Sequence, residues 1–488
     1  MRVRLVHVPK FVAPHGTLDA VFVNIPAMGL YGLADVLDRR GHDARLVHLG
    51  VERLLLGRAG LADTVRAEGG VDLVGFSLHW HHQLASTLAE IEAFHAAYPE
   101  VPIVVGGLTA SIFAAELLER APGVTWVIRG EGEQPLVALV EALESGRGLE
   151  AVPNLSRRVD GRVVHAPASF HATPASWAKV AYGRPELLPG APGFSPRYSF
   201  DARAQASADY ANPRRLFYLE TGRGCTRSCA FCGGGAAAYR QFFGRPRPGF
   251  RAWDDVLADL VRLQQAGYDA VYVSYDPPPI SDAYYSVLFN RAFREGLTLQ
   301  MEFEAFDLHT PVFWDGFANA FGRAGTRVAF SPEVADAAVR RRFKGFGYAN
   351  ADLEANVRHL AGLGVTSVLY FTLFPGTTPD QARAMRDWHD ELRARYGAEI
   401  LTMPIEMEPG APWHLVPARW GLEGARRTFD AFLARHRDVQ TVGRDLPTEL
   451  GYRFDEVDAL LAIVTPPSAP ETPAPEPAAP AEPGPEPA

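Results

Sequence analysis

All three cysteines of the chain lie close together, at Cys225, Cys229 and Cys232. An odd number of cysteines so near one another does not form a disulfide framework, but thiolates on a short loop are good ligands for iron-sulfur clusters or zinc. A structural zinc ion takes four protein ligands, whereas this chain has no fourth cysteine and no histidine between His171 and His309. We therefore predict that the cysteines hold a [4Fe-4S] cluster with one iron left open. A plain zinc loop or a set of buried thiols is the alternative.

The residues around the cysteines add to this prediction. Gly222, Gly224 and the run 233–235 let the backbone wrap closely and point amides at cluster sulfurs. The spacing Cys-x3-Cys-x2-Cys after an apolar strand, with Phe231 before the third cysteine, resembles the radical S-adenosylmethionine (SAM) superfamily. The resemblance implies that SAM binds the open iron and is cleaved reductively, releasing a 5′-deoxyadenosyl radical. It also implies an electron donor such as flavodoxin or ferredoxin.

Three later segments resemble SAM-binding segments of that superfamily, although the usual Gly-Gly-Glu is absent. Each follows a strand. Ser274 and Asp276 are candidate contacts for the amino group of SAM. Ser331 and Glu333, with the basic run 340–344, are candidates for its ribose and carboxylate, and Pro375 and Gly376 would lie near its adenine. A stiff turn, a solvated helix face and a plain β-turn are the respective alternatives.

The first 150 residues resemble the cobalamin-binding domains that are fused to radical SAM barrels. The segments that carry the resemblance are Asp72 to Ser77, Val105 to Thr109, Arg129 to Glu133 and, in the barrel, Ile405 to Pro412. The resemblance implies that the Gly106-Gly107 turn and the hydroxyls of Ser77 and Thr109 contact the nucleotide tail of cobalamin. The alternative is a degenerate module that only packs on the barrel.

One motif of that family is missing. The stretch Asp-x-His-x-x-Gly, which supplies a histidine to cobalt, does not occur in this chain. If cobalamin binds, we therefore expect it to bind without a histidine on cobalt. A cluster of histidines follows the third predicted strand and consists of His79, His81 and His82. Their role is left open between a polar loop and a contact to cobalt or substrate.

Strand and helix patterns alternate along most of the chain and predict an α/β protein. The first region should be a doubly wound, Rossmann-like sheet with ligands at the carboxyl ends of its strands. The cysteine region should be a partial (β/α)6 barrel of the TIM type. The predicted domains are a cobalamin-binding-like domain at 1–150, a linker at 151–212, a radical SAM barrel at 213–420, a helical cap at 421–464 and a disordered Pro/Ala/Glu-rich tail at 465–488.

Composition narrows the function classes. The formal charge of -9 offers no electrostatic footprint for a phosphate backbone, which argues against a nucleic-acid substrate. No apolar run approaches the roughly 20 residues of a membrane span, and the N-terminus lacks a signal peptide's apolar region, so we expect a soluble, cytoplasmic protein without a membrane partner.

The combined resemblance implies a radical SAM enzyme that cleaves SAM at its cluster and acts as a cobalamin-dependent C-methyltransferase on a small biosynthetic intermediate. A cobalamin-containing oxidoreductase, cyclase or rearrangement enzyme is the alternative. A non-catalytic iron-sulfur electron carrier or sensor is the alternative outside that class.

Overall fold

The computed structural model of the chain describes residues 1–12, 20–22, 24–178, 180–189, 195, 199–201, 214–322, 324–422, 427–437 and 454–465. The predicted tail lies outside these residues from 466 onward. Among the helices of the described part, none is long and apolar enough to cross a membrane.

The strands of the first half lie in two sheets and are β1 Arg2–His7, β2 Lys10–Val12, β3 Ala20–Phe22, β4 Asp43–His48, β5 Leu73–Ser77, β6 Ile103–Gly106, β7 Trp126–Ile128, β8 Leu155–Val159, β9 Arg162–His165 and β10 Ser199–Asp201. The strands of the second half are β11 Leu216–Tyr218, β12 Gly222–Arg223, β13 Gly249–Phe250, β14 Ala270–Val273, β15 Gln300–Ala305, β16 Arg327–Glu333, β17 Thr366–Leu373 and β18 Glu399–Pro404.

The helices between and after these strands are α1 Gly29–Asp38, α2 Leu49–Leu54, α3 Leu61–Glu68, α4 Leu84–Ala97, α5 Leu108–Ile112, α6 Ala114–Arg120, α7 Glu133–Ser145, α8 Pro174–Trp177, α9 Ala236–Phe242, α10 Trp253–Gln265, α11 Ser281–Arg294, α12 Pro311–Phe321, α13 Ala337–Lys344, α14 Asn350–Gly362, α15 Pro379–Tyr396, α16 Pro412–Leu415, α17 Phe429–Arg437 and α18 Phe454–Val464.

The first sheet has the strand order β4-β1-β5-β6-β7-β8-β9. Its first five strands are parallel, and β8 and β9 are antiparallel additions at one edge. Those two strands fall in the segment 151–212, which we had expected to be a linker. The chain leaves β1 toward β4 on one side and returns to β5 on the other, so the topological switch point lies at the carboxyl ends of β1 and β5, where ligands bind in such sheets.

The second sheet has the order β11-β14-β15-β16-β17-β18, and every neighbouring pair is parallel. β11 and β18 are the two edges of this sheet and do not pair with each other. The barrel is therefore open between these two strands, which makes it a partial barrel. Along β15 the burial alternates between partly exposed and fully buried residues, as expected when one face meets helices and the other faces the barrel interior. Phe303, for example, packs on Tyr285 and Phe289 of α11.

Candidate functional site

The cysteine loop begins after β11 and is held at its start by the small β12–β13 pair. Cys225, Cys229 and Cys232 are all partly buried free thiols. The Arg227 amide donates to the Cys225 Sγ at 3.3 Å, and the Cys232 amide donates to the Cys229 carbonyl at 3.2 Å. The loop therefore brings the three sulfurs to one side of the barrel mouth, with backbone amides beside them.

The spacing of the sulfurs favours a cluster over a single ion. In the described part of the chain, the group of three metal-ligating residues whose ligand atoms all lie within 4.8 Å of one another is His81, His82 and Glu406, and the cysteines do not form such a group. Four sulfurs around one zinc ion, each at about 2.3 Å, lie only about 3.8 Å apart. The three thiolates are therefore not arranged around one tetrahedral ion, which is consistent with the predicted cluster.

Segments from across the barrel fix the cysteine loop. The Glu408 carboxylate accepts a hydrogen bond from the Gly233 amide at 2.6 Å. The Glu408 amide donates to the Phe231 carbonyl, and the Trp413 amide donates to the Ala230 carbonyl at 2.8 Å. The loop that follows β18 thus sets the path of the chain between the second and third cysteines.

Burial acts on the charges at this loop. It raises the pKa of the Cys229 thiol to about 11, although the positive charge of Lys344 opposes the shift. Burial also raises the pKa of Cys232 and of the neighbouring Glu408. Buried thiols of this kind become thiolates when a positively charged metal centre binds them.

The predicted amino-group contacts lie just after β14. The Ser274 hydroxyl donates to Glu304 on β15. Asp276 is fully buried, and its Oδ2 accepts hydrogen bonds from the Phe306 amide at 2.8 Å and from the His309 ring at 2.9 Å. Its Oδ1 is buried without a hydrogen-bond partner among the described residues. One oxygen of Asp276 therefore holds the loop together, and the other remains able to accept a hydrogen bond.

His309 gives this loop a pH dependence. Burial opposes its cation, but hydrogen bonds to Asp276 and Asp282 prevail and raise the pKa of His309 to about 9. The pKa of His309 is thus higher in the folded protein than its unfolded value of about 6.5. Protonation of His309 therefore contributes its full stabilisation below pH 6.5, and this contribution is lost as the pH rises through 9.

We expect the free energy of unfolding to fall by at most about 3 kcal/mol between pH 6.5 and 9 from this group. Urea unfolding across that range, in the parent and in His309→Gln, measures the effect. The variant should show the flatter pH profile, and an unchanged profile would show that His309 is not the responsible group.

The predicted ribose and carboxylate contacts lie at the end of β16. Glu333 has a left-handed backbone with φ of 65°, and its side chain accepts from Lys344 Nζ at 3.1 Å and Thr372 Oγ1 at 2.8 Å. Lys344 also donates to the Ser331 carbonyl at 2.5 Å. The Arg340 guanidinium is buried and donates to three carbonyls and to Asn350 Oδ1, so it holds the loop after β16. Arg340 is thus committed to the fold, whereas the charges of Lys344 and Glu333 lie near enough to Cys229 to influence its pKa.

The predicted adenine turn follows β17. Pro375 is partly buried, and Gly376 is exposed with φ of 83°. Thr377 closes the turn through its amide and hydroxyl, which both donate to the Phe374 carbonyl. The turn therefore presents an open backbone edge at the barrel mouth.

The predicted cobalamin contacts lie together at the carboxyl edge of the first sheet. Gly106 ends β6, and Gly107 follows it with φ of 115°. Thr109 donates through its hydroxyl to the His79 carbonyl at 3.0 Å, and Ser77 is buried at the end of β5. A side chain at Gly107 would lie 2.6 Å from the Leu78 carbonyl oxygen, so this glycine permits close packing of two neighbouring loops.

Gly107→Ala should destabilise the first domain by about 1 to 3 kcal/mol, because alanine is strained at this φ and overlaps backbone atoms. Gly106→Ala is the matched control, since the nearest atom to its added carbon is the Ile128 carbonyl oxygen at 3.8 Å. Urea unfolding of both variants tests the difference, and equal stability of the two would contradict it.

The histidine loop after β5 points toward the barrel. The His81 and His82 rings are stacked with centroids 4.0 Å apart, and His82 Nε2 lies 2.5 Å from Glu406 Oε2. His79 is placed differently: burial lowers its pKa to about 4, and the positive charge of Arg223 acts in the same direction. His82 is therefore tied to the segment after β18, and His79 is a neutral imidazole at neutral pH.

A set of buried charges joins the first domain to the barrel domain. Arg223 on β12 pairs with Glu133 at 2.6 Å and with Glu220 at 2.5 Å. Arg245 pairs with Glu131, with 2.8 Å between Nη2 and Oε2. We call these five residues the inter-domain charge network. It connects the start of the cysteine loop to the segment between β7 and α7 of the first domain.

Sequence reasoning did not assign a role to several of these residues. Glu131 and Glu133 were noticed only as part of a cobalamin-domain segment, and Glu406 and Glu408 only as part of a barrel segment. Their regular spacing was the available signal, but the partners that join them to the other domain lie 90 or more residues away in the chain. Glu304 carried no sequence signal beyond its position in a strand.

Two families match this chain. Residues 15–140 match the B12 binding domain, and residues 219–389 match the Radical SAM superfamily. The first match covers the strands that carry Gly106 and Gly107, and the second begins just before the cysteine loop.

Individual relatives are more distant. The chain is 27% identical over 259 residues to the hopanoid C-3 methylase of Methylococcus capsulatus, covering 51% of this chain and 42% of the methylase. It is 25% identical over 298 residues to the cytidylyl-2-hydroxyethylphosphonate methyltransferase of Streptomyces wedmorensis, covering 55% of this chain and 54% of that protein. The chain therefore spans about half the length of these relatives.

The fold is shared with a solved structure. The radical SAM methyltransferase TsrM from Kitasatospora setae, solved with cobalamin and a [4Fe-4S] cluster, gives a TM-score of 0.63 at 19% identity, covering 88% of this chain and 76% of that one. The predicted fold class, a doubly wound cobalamin-binding domain followed by a partial radical SAM barrel, is confirmed.

Proposed function

Because the chain belongs to the radical SAM superfamily and carries an N-terminal B12-binding domain, we propose that it is a cobalamin-dependent C-methyltransferase. Its substrate is a small biosynthetic intermediate. The match to two methyltransferases along half of their length supports the reaction class.

The observation that carries this proposal is the segment after β18. Glu406 contacts His82 from the first domain at 2.5 Å, and Glu408, two residues later, holds the Gly233 amide of the cysteine loop at 2.6 Å. One short segment therefore touches both the cobalamin-type domain and the cysteine loop. The residues that would hold cobalamin and those that would hold the cluster are therefore joined through this segment.

A bound [4Fe-4S] cluster supplies one electron and an open coordination position for SAM, and a bound cobalamin supplies a methyl carrier. Cys225, Cys229 and Cys232 would hold the cluster. Gly106, Gly107, Ser77 and Thr109 would line the nucleotide tail of cobalamin. The electron would come from a small carrier protein such as flavodoxin or ferredoxin.

The remaining candidates would position SAM. The buried Oδ1 of Asp276 can accept a hydrogen bond from its amino group, with Ser274 beside it. Ser331 and Glu333 would face its ribose and carboxylate, and the open edge at Pro375 and Gly376 would meet its adenine. The chain's own contribution is orientation: these groups fix one end of SAM while the cysteine loop fixes the other.

The test uses SAM deuterated in its methyl group. Holoprotein is incubated anaerobically with reductant, labelled SAM and a filtered small-molecule extract of the source cells, and products are detected by mass spectrometry. We expect a product that gains an intact CD3 group, with S-adenosylhomocysteine and 5′-deoxyadenosine formed together.

The control is the same reaction with a triple Cys225→Ala, Cys229→Ala, Cys232→Ala variant, which should form neither 5′-deoxyadenosine nor the labelled product. Release of 5′-deoxyadenosine with a product that carries no label would reject the transferase and support an oxidoreductase, cyclase or rearrangement enzyme. Absence of any SAM cleavage by the holoprotein would support an electron carrier or sensor.

A further inference from the structure

The interior of the partial barrel contains an aromatic cluster around one carboxylate. Tyr218, Tyr272 and Tyr370 lie on three strands of the barrel, and Glu304 lies on the strand next to that of Tyr272. All four side chains are partly accessible. We call these four residues the tyrosine cage.

Strand register places the cage residues on one face. Tyr218 is the partner of Tyr272, and Tyr272 is the partner of Glu302, two residues before Glu304 on the same face. The chain neighbours of the cage residues face the helices. Phe303, next to Glu304, packs on α11, and Phe371, next to Tyr370, packs on Trp388 of α15. The cage residues therefore point into the barrel.

Contacts between the side chains confirm that the cage is compact. The Tyr218 and Tyr272 rings have centroids 5.0 Å apart, and the Tyr272 hydroxyl donates to Glu304 Oε2 at 3.0 Å. Burial raises the pKa of Tyr370 to about 12, and the negative charge of Glu304 acts in the same direction. On β16, between the strands of Glu304 and Tyr370, the register partner of Glu304 is the small residue Ala329.

Glu304 differs from two other carboxylates on the strands of the same sheet. Glu302 pairs with Arg214, and Glu399 pairs with Arg327 at 3.0 Å. Glu304 receives hydrogen bonds from the hydroxyls of Tyr272 and Ser274, and within the described residues it has no basic partner. A carboxylate that has no basic partner and lies beside tyrosine rings is stabilised by a ligand that brings a positive charge.

We propose that the tyrosine cage binds an alkylammonium group of the substrate, with Glu304 as its counter-charge. The inference rests on the proposed function, because it assigns the cage to the small molecule that is methylated. Aromatic rings attract the carbon-bound hydrogens of an ammonium group, and such cages with a carboxylate recognise alkylated amines. An anionic or fully apolar group would leave Glu304 without a counter-charge and would bind more weakly.

The experiment compares two probes of one shape in anaerobically reconstituted holoprotein. Choline carries the positive charge, and 3,3-dimethyl-1-butanol is its neutral isostere. Equilibrium dialysis should give at least a tenfold lower dissociation constant for choline. Equal affinities for the two probes would overturn the proposal.

Variants locate the binding site. Glu304→Gln and Tyr272→Leu should each weaken choline binding at least tenfold, whereas Tyr272→Phe keeps the ring and should stay within threefold. Glu399→Gln, which removes a half-exposed carboxylate of the same sheet that already has a basic partner, should also stay within threefold. Iron content and melting temperature equal to the parent show that each variant is folded. Equal losses in Glu304→Gln and Glu399→Gln would contradict a specific site.

Saturating SAM distinguishes substrate from cofactor. Choline should still bind when SAM is present, because the cage residues lie within the strands, whereas the predicted SAM contacts lie at the strand ends or follow them; Ser274, which donates to Glu304, is the one predicted SAM contact that touches the cage. Displacement of choline by SAM would assign the cage to SAM and overturn the proposal. A failure of the labelled-methyl assay with retained choline binding would reject the transferase reaction while leaving the ammonium site in place.

Discussion

Anaerobic reconstitution of the full-length chain should incorporate about four irons per chain with a brown absorbance, the count of one cubane. The triple Cys225→Ala, Cys229→Ala, Cys232→Ala variant should incorporate almost none. These are the only cysteines of the sequence, and their sulfurs are not close enough together to share one ion. The loss should therefore be complete rather than partial.

Two features separate this loss from unfolding. The three thiols are only partly buried, and the loop is held mainly by backbone hydrogen bonds to segments such as Trp413 and Glu408. Circular dichroism of the variant should therefore match that of the parent without iron. Incorporation of one colourless zinc ion by the parent would show that the cluster assignment is wrong.

Much of the architecture was predictable from local patterns. Alternating apolar strands and helices indicated both sheets, because buried parallel strands need apolar residues and the helices between them need a repeating apolar face. The strand ends were less accurate. β16 continues past its apolar run, which ends at Phe330, as far as Glu333, because the pairing with β17 resumes after an irregularity between these two residues.

The contacts that assemble the site were not predictable in the same way. His82 and Glu406 are 324 residues apart, and no periodicity relates them. At Arg340 the sequence pattern suggested a ligand contact that the fold does not leave free. The basic run 340–344 resembled a SAM contact, but the Arg340 guanidinium donates its hydrogen bonds to backbone carbonyls. Residue type and spacing identified the cysteine loop, but the partners of each side chain required the fold.

The strongest effect on stability is expected at the inter-domain charge network. Glu131 and Arg245 are 5% and 4% exposed, and Arg245 also donates to the Ala172 carbonyl at 2.6 Å. Removing one member of a buried ion pair costs up to about 3 to 5 kcal/mol. Without Arg245, Glu131 keeps only the longer contact to Arg223 at 3.4 Å among the described residues, and Arg223 is shared with Glu133 and Glu220. Arg245→Met should therefore lower the free energy of unfolding by up to that amount in urea titrations followed by tryptophan fluorescence.

Two further variants identify the cause. Arg395→Met removes exposed pairs with Glu391 and Glu354, and it should leave the free energy of unfolding nearly unchanged. Adding Glu131→Gln to Arg245→Met removes the stranded charge, so the double variant should be less destabilised than the sum of the single variants. Strict additivity would show that the two side chains act independently. A coupled loss would mean that the charges fixing the cysteine loop against the first domain stabilise the interface as one unit.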